Sequence, residues 1–158
     1  MQVTKADYNN ELHGQALLLL MQAYALDPMG GGEALSDYAQ QNLLPNLQKT
    51  TGVFSVIAYI DNKPAGLMNC VEGFSTFNAK KLVNIHDVIV LGMYRGRGVC
   101  NAMFNEVNKI ATELGCCKLT LEVLEGNNTA KKAYKKQGFS GYELDPAMGK
   151  AVFWQKYL

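Results

Sequence analysis

Apolar positions along this chain recur with two spacings, one helical and one alternating, and the switches between them outline a succession of helices and strands. Residues 2–5 read as a short first strand. From Glu11 to Leu26 the apolar residues Leu12, Ala16, Leu19, Leu20 and Ala23 return at helical spacing, which predicts a helix closed by Asp27-Pro28. Met29-Gly30-Gly31-Gly32 reads as a mobile linker. Ser36 is the N-cap of a second predicted helix, which runs to about Leu47 and is interrupted or ended near Pro45. Val53–Ile60 and Ala65–Glu72 are predicted strands joined by Asp61-Asn62-Lys63-Pro64, a hairpin signal. A third strand covers Leu82–Leu91. A helix follows from Val99 to Leu114 and stops at Gly115. Lys118–Leu124 alternates and is rich in strand formers, so it is expected to run parallel to the preceding strand across that helix. Asn128–Gln137 is a helix stopped by Gly138, and Phe139–Tyr142 and Ala151–Tyr157 are predicted final strands. The order points to an α/β sandwich in a single domain, residues 1–158, with no internal repeat.

Composition narrows the class. A chain of 158 residues, 48% of them apolar, suffices for one substantial core. No apolar run approaches the length of a membrane span. Ala16–Met21 is short and lacks a basic leader or cleavage site, so the expectation is a cytoplasmic protein with neither a signal peptide nor a membrane partner. Cys70, Cys100, Cys116 and Cys117 lack metal-ligand spacing and a disulfide framework, so no metal is expected. A net charge of +1 argues against nucleic acid as a partner. The charge is divided, however: residues 1–75 carry three lysines against seven acids, net −4, and residues 76–158 carry net +5. Such a division suits an anionic cofactor in one half and a cationic substrate near the other.

The turn Tyr94-Arg95-Gly96-Arg97-Gly98-Val99-Cys100-Asn101 carries the chemistry. A strand that breaks into a Gly-rich turn and then a helix start offers backbone N–H groups at the positive end of a helix dipole, which suits a phosphate. Gly96 and Gly98 allow close approach, and Arg95 and Arg97 add charge. Asn101 stands where a dinucleotide fingerprint needs its third glycine, and no triphosphate-binding loop occurs. The alternative for this octamer alone is a strand-to-helix turn with no ligand.

A second motif follows, Asn127-Asn128-Thr129-Ala130-Lys131-Lys132-Ala133-Tyr134-Lys135-Lys136-Gln137-Gly138-Phe139. Taken with Arg95-Gly96-Arg97-Gly98, its Asn-x-x-Ala-x-x-x-Tyr-x-x-x-Gly-Phe pattern resembles the GNAT superfamily of acyl-CoA-dependent N-acetyltransferases. The resemblance spans at least Ile85 to Phe139. It implies a mixed, mostly antiparallel central sheet with a splayed parallel strand pair and helices on both faces. It also implies acetyl-CoA as cofactor and an amine acceptor, with a homodimer plausible from the family's final strands.

The resemblance assigns roles residue by residue. Backbone groups of Val88, Ile89 and Val90 would hold pantetheine, and Arg95, Gly96, Arg97, Gly98, Val99, Cys100 and Asn101 the pyrophosphate. Asn127 and Ala130 would flank pantetheine; Asn127 also reads as a helix cap. Lys135 or Lys136, with Lys136 favoured, would meet the ribose phosphate, the remaining lysines forming a solvated face. Tyr134 would be the general acid, since a phenol with a pKa of about 10 stays protonated at neutral pH. His86 occupies the position where spermidine/spermine and aminosugar acetyltransferases place a glutamate, and a pKa of about 6.5 suits a base. The alternative is a hydrogen-bonded strand histidine. Strand alternation places His86 and Asp87 on opposite faces unless a bulge intervenes. The thiol of Cys100, beside a helix N-terminus, is a candidate for a lowered pKa. Tyr24, Phe74, Phe77, Asp87 and Glu122 are the candidate acceptor lining, joined in one reading by Tyr142 and the Met29–Glu33 loop. Aromatics mixed with carboxylates suit a small cationic amine. The expected mechanism is direct attack by the amine in a ternary complex, with Tyr134 as acid and no acyl-enzyme, because no Cys–His pair is evident. The competing classes are a non-catalytic acyl-CoA sensor, a protein N-acetyltransferase and a ligand-free structural domain.

Overall fold

The structure, a computed structural model, describes residues 1–157. The chain divides into two compact units, Met1–Leu121 and a second that begins at Glu122.

The first unit holds a five-stranded sheet: β1 (Gln2–Lys5), β2 (Val53–Ile60), β3 (Lys63–Ser75), β4 (Lys80–Val90) and β5 (Leu119–Leu121), ordered β1-β2-β3-β4-β5. Neighbours are antiparallel except β4 and β5, which are parallel. The β2–β3 hairpin turns on Asp61 and Asn62, with φ of 50° and 60°, the left-handed pair that matches strand twist in a two-residue hairpin.

Helices cover both faces of this sheet. Helix α1 (Glu11–Leu26) starts at Asn10, whose side chain accepts from the Leu12 and His13 amides. It buries Ala16, Leu17 and Leu20 against Ile57, Leu67 and Ile89. Helix α3 (Val99–Glu113) presents Val99, Met103, Phe104, Val107, Ile110 and Ala111 as one buried stripe at helical spacing. Gly66 directs its missing side chain at Val99 and Met103. Its strand neighbour Leu67 faces α1, so α3 lies on the opposite face.

Helix α2 (Asp37–Lys49) runs through Pro45 instead of ending there. Gln41, whose carbonyl loses its donor to the proline, is exposed, so water replaces the missing bond. Met29–Gly32 is a folded turn hung on Asp27, not a loose linker. The Asp27 carboxylate accepts from the Met29 amide and its carbonyl from Gly30 and Gly32.

In the second unit, helix α4 (Asn128–Lys136) is capped by the Asn127 side chain through the Ala130 amide. It ends at Gly138, with φ of 86°. The expected strands Phe139–Tyr142 and Ala151–Tyr157 do not form. Among the described residues this segment has one isolated bridge, Glu143 to Lys150, and a short 3-10 turn, Pro146–Met148. A strand exists only through its ladder, and Val152, Phe153, Trp154 and Tyr157 remain 70–86% exposed, so no burial drives one. The expected strand Lys118–Leu124 likewise shortens to Leu119–Leu121.

A Cβ at Gly66 would lie 2.9 Å from the Ile89 carbonyl oxygen and 3.0 Å from Val99 Cγ1. Gly66→Ala is therefore expected to cost about 1–3 kcal/mol in urea denaturation through overpacking. A variant as stable as the parent would contradict this packing of α3 on β3.

Candidate functional site

The site starts from a register shift. Cys70 of β3 pairs with Ile85 of β4, but Asn69 pairs with Asp87, so His86 is an extra residue in a β-bulge. The bulge reverses the alternation. Ile85 shares the α3 face with Cys70 and Met68, whereas Asp87 shares the α1 face with Ile89. His86 is exposed and Asp87 half-buried.

At the same point β4 parts from β5. Their parallel pairing covers Val83, Asn84 and Ile85 only, while β4 continues to Val90. The Leu91 amide donates to the Ala65 carbonyl, so alternate residues, Ile89 included, turn their backbone groups toward β3. Those of Val88 and Val90 point the other way. Consistently, the Val90 carbonyl accepts from Arg95 Nε at 3.0 Å.

After β4 the chain makes a 3-10 turn, Gly92–Tyr94, and enters α3 through two left-handed glycines, Gly96 at φ 75° and Gly98 at φ 80°. Gly98 is the N-cap and supplies no side chain to α3. The Val99 and Cys100 amides thus have no acceptor within the helix. A Cβ at Gly96 or Gly98 would meet nothing within 4 Å, so the turn is open to a ligand. An anion with several oxygens fits this donor set.

The side chains around the turn are placed unequally. The guanidinium of Arg97 lies 5.6 Å from the centre of the buried Tyr94 ring. Arg95 reaches back to Asp27, Nη2 to Oδ2 at 2.8 Å, tying the turn to the end of α1. The Met29 amide and Arg95 hold the Asp27 carboxyl below its ordinary range. The expected lowering at Cys100 is not found; burial pushes its thiol up to about 11, outweighing the helix end.

Of the predicted acceptor residues, Tyr24 and Asp87 come together. The Tyr24 phenol is raised by burial and then by the charges of Asp87 and Asp27. Phe74 and Phe77 do not join them. Phe74 lies five residues along β3 from Asn69, roughly 17 Å at strand rise, and is 62% exposed, while Phe77 is fully exposed at the hairpin tip. Asn127, Ala130, Tyr134, Lys136 and Glu122 belong to the second unit. There Tyr134 is buried, its ring 6.2 Å from Phe139 edge to face, while Lys136 and Glu122 are exposed.

A family model described as acetyltransferase (GNAT) family matches residues 17–139. The chain belongs to the GNAT acetyltransferase family. Over 76 residues it is 32% identical to a thialysine N-epsilon-acetyltransferase of Bos taurus, 44% of each chain. Over 89 residues it is 28% identical to an uncharacterized N-acetyltransferase of Methanocaldococcus jannaschii, 56% of this chain and 39% of that one. The matches thus span less than half the length of these curated relatives. Among solved structures the fold is similar to a probable acetyltransferase, with TM-score 0.83, 17% identity and 99% of both chains covered. It is also similar to AAC(6')-Iy bound to a coenzyme A bisubstrate analogue, with TM-score 0.78, 18% identity and both chains covered entirely.

This GNAT chain also contains residues the sequence reading passed over. Asp27 anchors Arg95, and a hydrogen-bonded row of Tyr8, Ser55 and Asn69 crosses the sheet to the expected Asp87. The available signal was Ser55 and Asn69, polar residues interrupting apolar strands at positions that face the core.

The Asp27–Arg95 pair predicts a pH dependence. A carboxyl held below its ordinary range stabilises the fold at neutral pH, and that contribution disappears as pH falls through the lowered value. Asp27→Asn is expected to lose up to about 1 kcal/mol at pH 7, as suits a half-exposed ion pair. In urea melts at successive pH values the gap between parent and variant should close at strongly acid pH; a gap constant with pH would contradict the pairing.

Proposed function

We propose that this protein is an acetyl-CoA-dependent N-acetyltransferase acting on a small cationic amine. The observation that carries the reading is the pair of uncapped amides at the start of α3, behind two open glycines, at the end of a strand that has separated from its parallel neighbour. Val99 and Cys100 N–H with Gly96 and Gly98 would take the pyrophosphate, and Arg97 adds charge. Val88 and Val90 would offer the pantetheine amides a strand-like partner in place of β5. Ile89, Asn101, Asn127, Ala130 and Lys136 complete the cofactor assignment carried over from the family.

The chemistry in this reading is direct. The amine nitrogen attacks the thioester carbonyl, a C–N bond forms, the C–S bond breaks, and coenzyme A leaves as a thiol once the sulfur gains a proton from Tyr134. His86, exposed at the bulge, takes the proton lost by the amine, directly or through water. Asp87 receives the ammonium of the incoming acceptor beside Tyr24. The curated relative is named a thialysine N-epsilon-acetyltransferase and the solved AAC(6')-Iy an aminoglycoside N-acetyltransferase, and these amine acceptors support the class of substrate. Residues 1–158 act as one catalytic domain in this account.

Thiol release from acetyl-CoA, followed across a panel of polyamines, amino acids, aminosugars and peptides, tests the proposal. Turnover is expected with a cationic small amine, and Tyr134→Phe should lower kcat by about 10²–10⁴-fold, the usual contribution of a general acid. Equal rates would remove Tyr134 from the mechanism. Acetyl-CoA binding with no turnover on any amine would favour a sensor, and turnover on peptides alone a protein acetyltransferase.

A further inference from the structure

Three polar residues on three adjacent strands line up across the α1 face of the sheet. Ser55 of β2 stands opposite Asn69 of β3, which stands opposite Asp87 of β4. Around them the same face carries Ile57, Leu67 and Ile89. Ser55 is fully buried. Burying such groups is costly unless each is hydrogen-bonded, and three apolar side chains would pack here without that demand.

The hydrogen bonds have one possible direction. The single Ser55 proton goes to Asn69 Oδ1 at 2.6 Å, so Ser55 Oγ accepts from the Tyr8 hydroxyl at 2.9 Å. Asn69 Nδ2 faces Met21 Sδ at 3.1 Å, which can only accept, and Asp87 Oδ2 at 2.9 Å. Every link therefore donates toward Asp87. Among the described residues, Asp87 Oδ1 has no hydrogen-bond partner, and the ion pairs, Lys81–Glu72 and Arg95–Asp27, leave Asp87 without a cation. A half-buried carboxylate lacking a cation is a receptor for one.

We propose that Asn69, backed by Ser55 and Tyr8, is a positioning residue that holds Asp87 by one oxygen and presents the other to the ammonium of the acceptor. The inference rests on the reading in which Asp87 receives that ammonium. The bulge at His86 is what makes it possible, because without the register shift Asp87 would face α3 and Asn69 could not reach it.

Steady-state kinetics of the full chain, with spermidine and with sisomicin as probe amines, test this. Asn69→Leu is expected to raise the amine KM about tenfold, the scale of one hydrogen bond to a charge. KM for acetyl-CoA and kcat should stay within about twofold, since the cofactor turn is untouched. Tyr8→Phe, the milder variant should Asn69→Leu fold poorly, should raise amine KM alone and by less. In a double-mutant cycle Asn69→Leu should add nothing to Asp87→Asn. The inference is overturned if Asn69→Leu and Tyr8→Phe leave amine KM unchanged, if they move both KM values together, or if Asn69→Leu and Asp87→Asn are additive. An amine KM indifferent to Asp87→Asn, or no wild-type turnover of either probe, would instead overturn the reading beneath it, and the inference with it.

Discussion

One strand cannot keep perfect register with both its neighbours here, and the rest of the structure depends on how β4 resolves that conflict. An extra residue at His86 lets β4 stay paired with β3 to its end, but the bulge adds twist at the place where β5 stops following. Beyond Ile85 the polar groups of Val88 and Val90 are turned away from β3; the Val90 carbonyl accepts from Arg95 Nε, and the rest have no strand beside them. In the proposed reading the pantetheine amides take the place of that strand. The same strand then delivers the chain to Gly96 and Gly98, where α3 begins with its amides uncapped. The gap and the open glycine turn thus lie on one continuous stretch of chain, the first beside the bulge and the second just past the end of β4.

The bulge also divides labour between the two faces. Before it, β4 turns Val83 and Ile85 to the α3 side; after it, Asp87 and Ile89 face α1. A carboxylate thereby enters a mostly apolar layer, held by an amide that is itself held by a buried serine. Helix α1 contributes Met21 and Tyr24 to that layer, and its C-cap, Asp27, grips the arginine of the glycine turn. The acceptor side and the donor side of the proposed reaction are thus mechanically joined through α1 and β4.

Much of this was legible in the sequence. The glycine turn, the uncapped helix start and the Asn127 cap follow from residue types at fixed offsets, because Gly96, Gly98 and Gly138 adopt backbone angles that other residues avoid. The register shift was not legible. Nothing in Ile85-His86-Asp87-Val88 distinguishes a bulge from plain alternation, since a bulge depends on the pairing with Asn69 and Cys70. The polar row was hidden for the same reason, as Ser55, Asn69 and Asp87 meet only through that register. Cys100 shows tertiary burial overriding a local rule: the helix end favours a thiolate, and desolvation outweighs it. The final strands failed because alternation in Ala151–Tyr157 predicts only a capacity to pair, and pairing needs a partner that the sequence does not specify.

The claim at the centre is that the parted strand and the uncapped helix together grip coenzyme A. A crystal structure of the protein with coenzyme A bound tests it most directly. The account predicts pyrophosphate oxygens within hydrogen-bond distance of the Val99 and Cys100 amides, with the pantetheine arm running along Val88 and Val90. Coenzyme A held elsewhere, with those four backbone positions bonded to water, would contradict it.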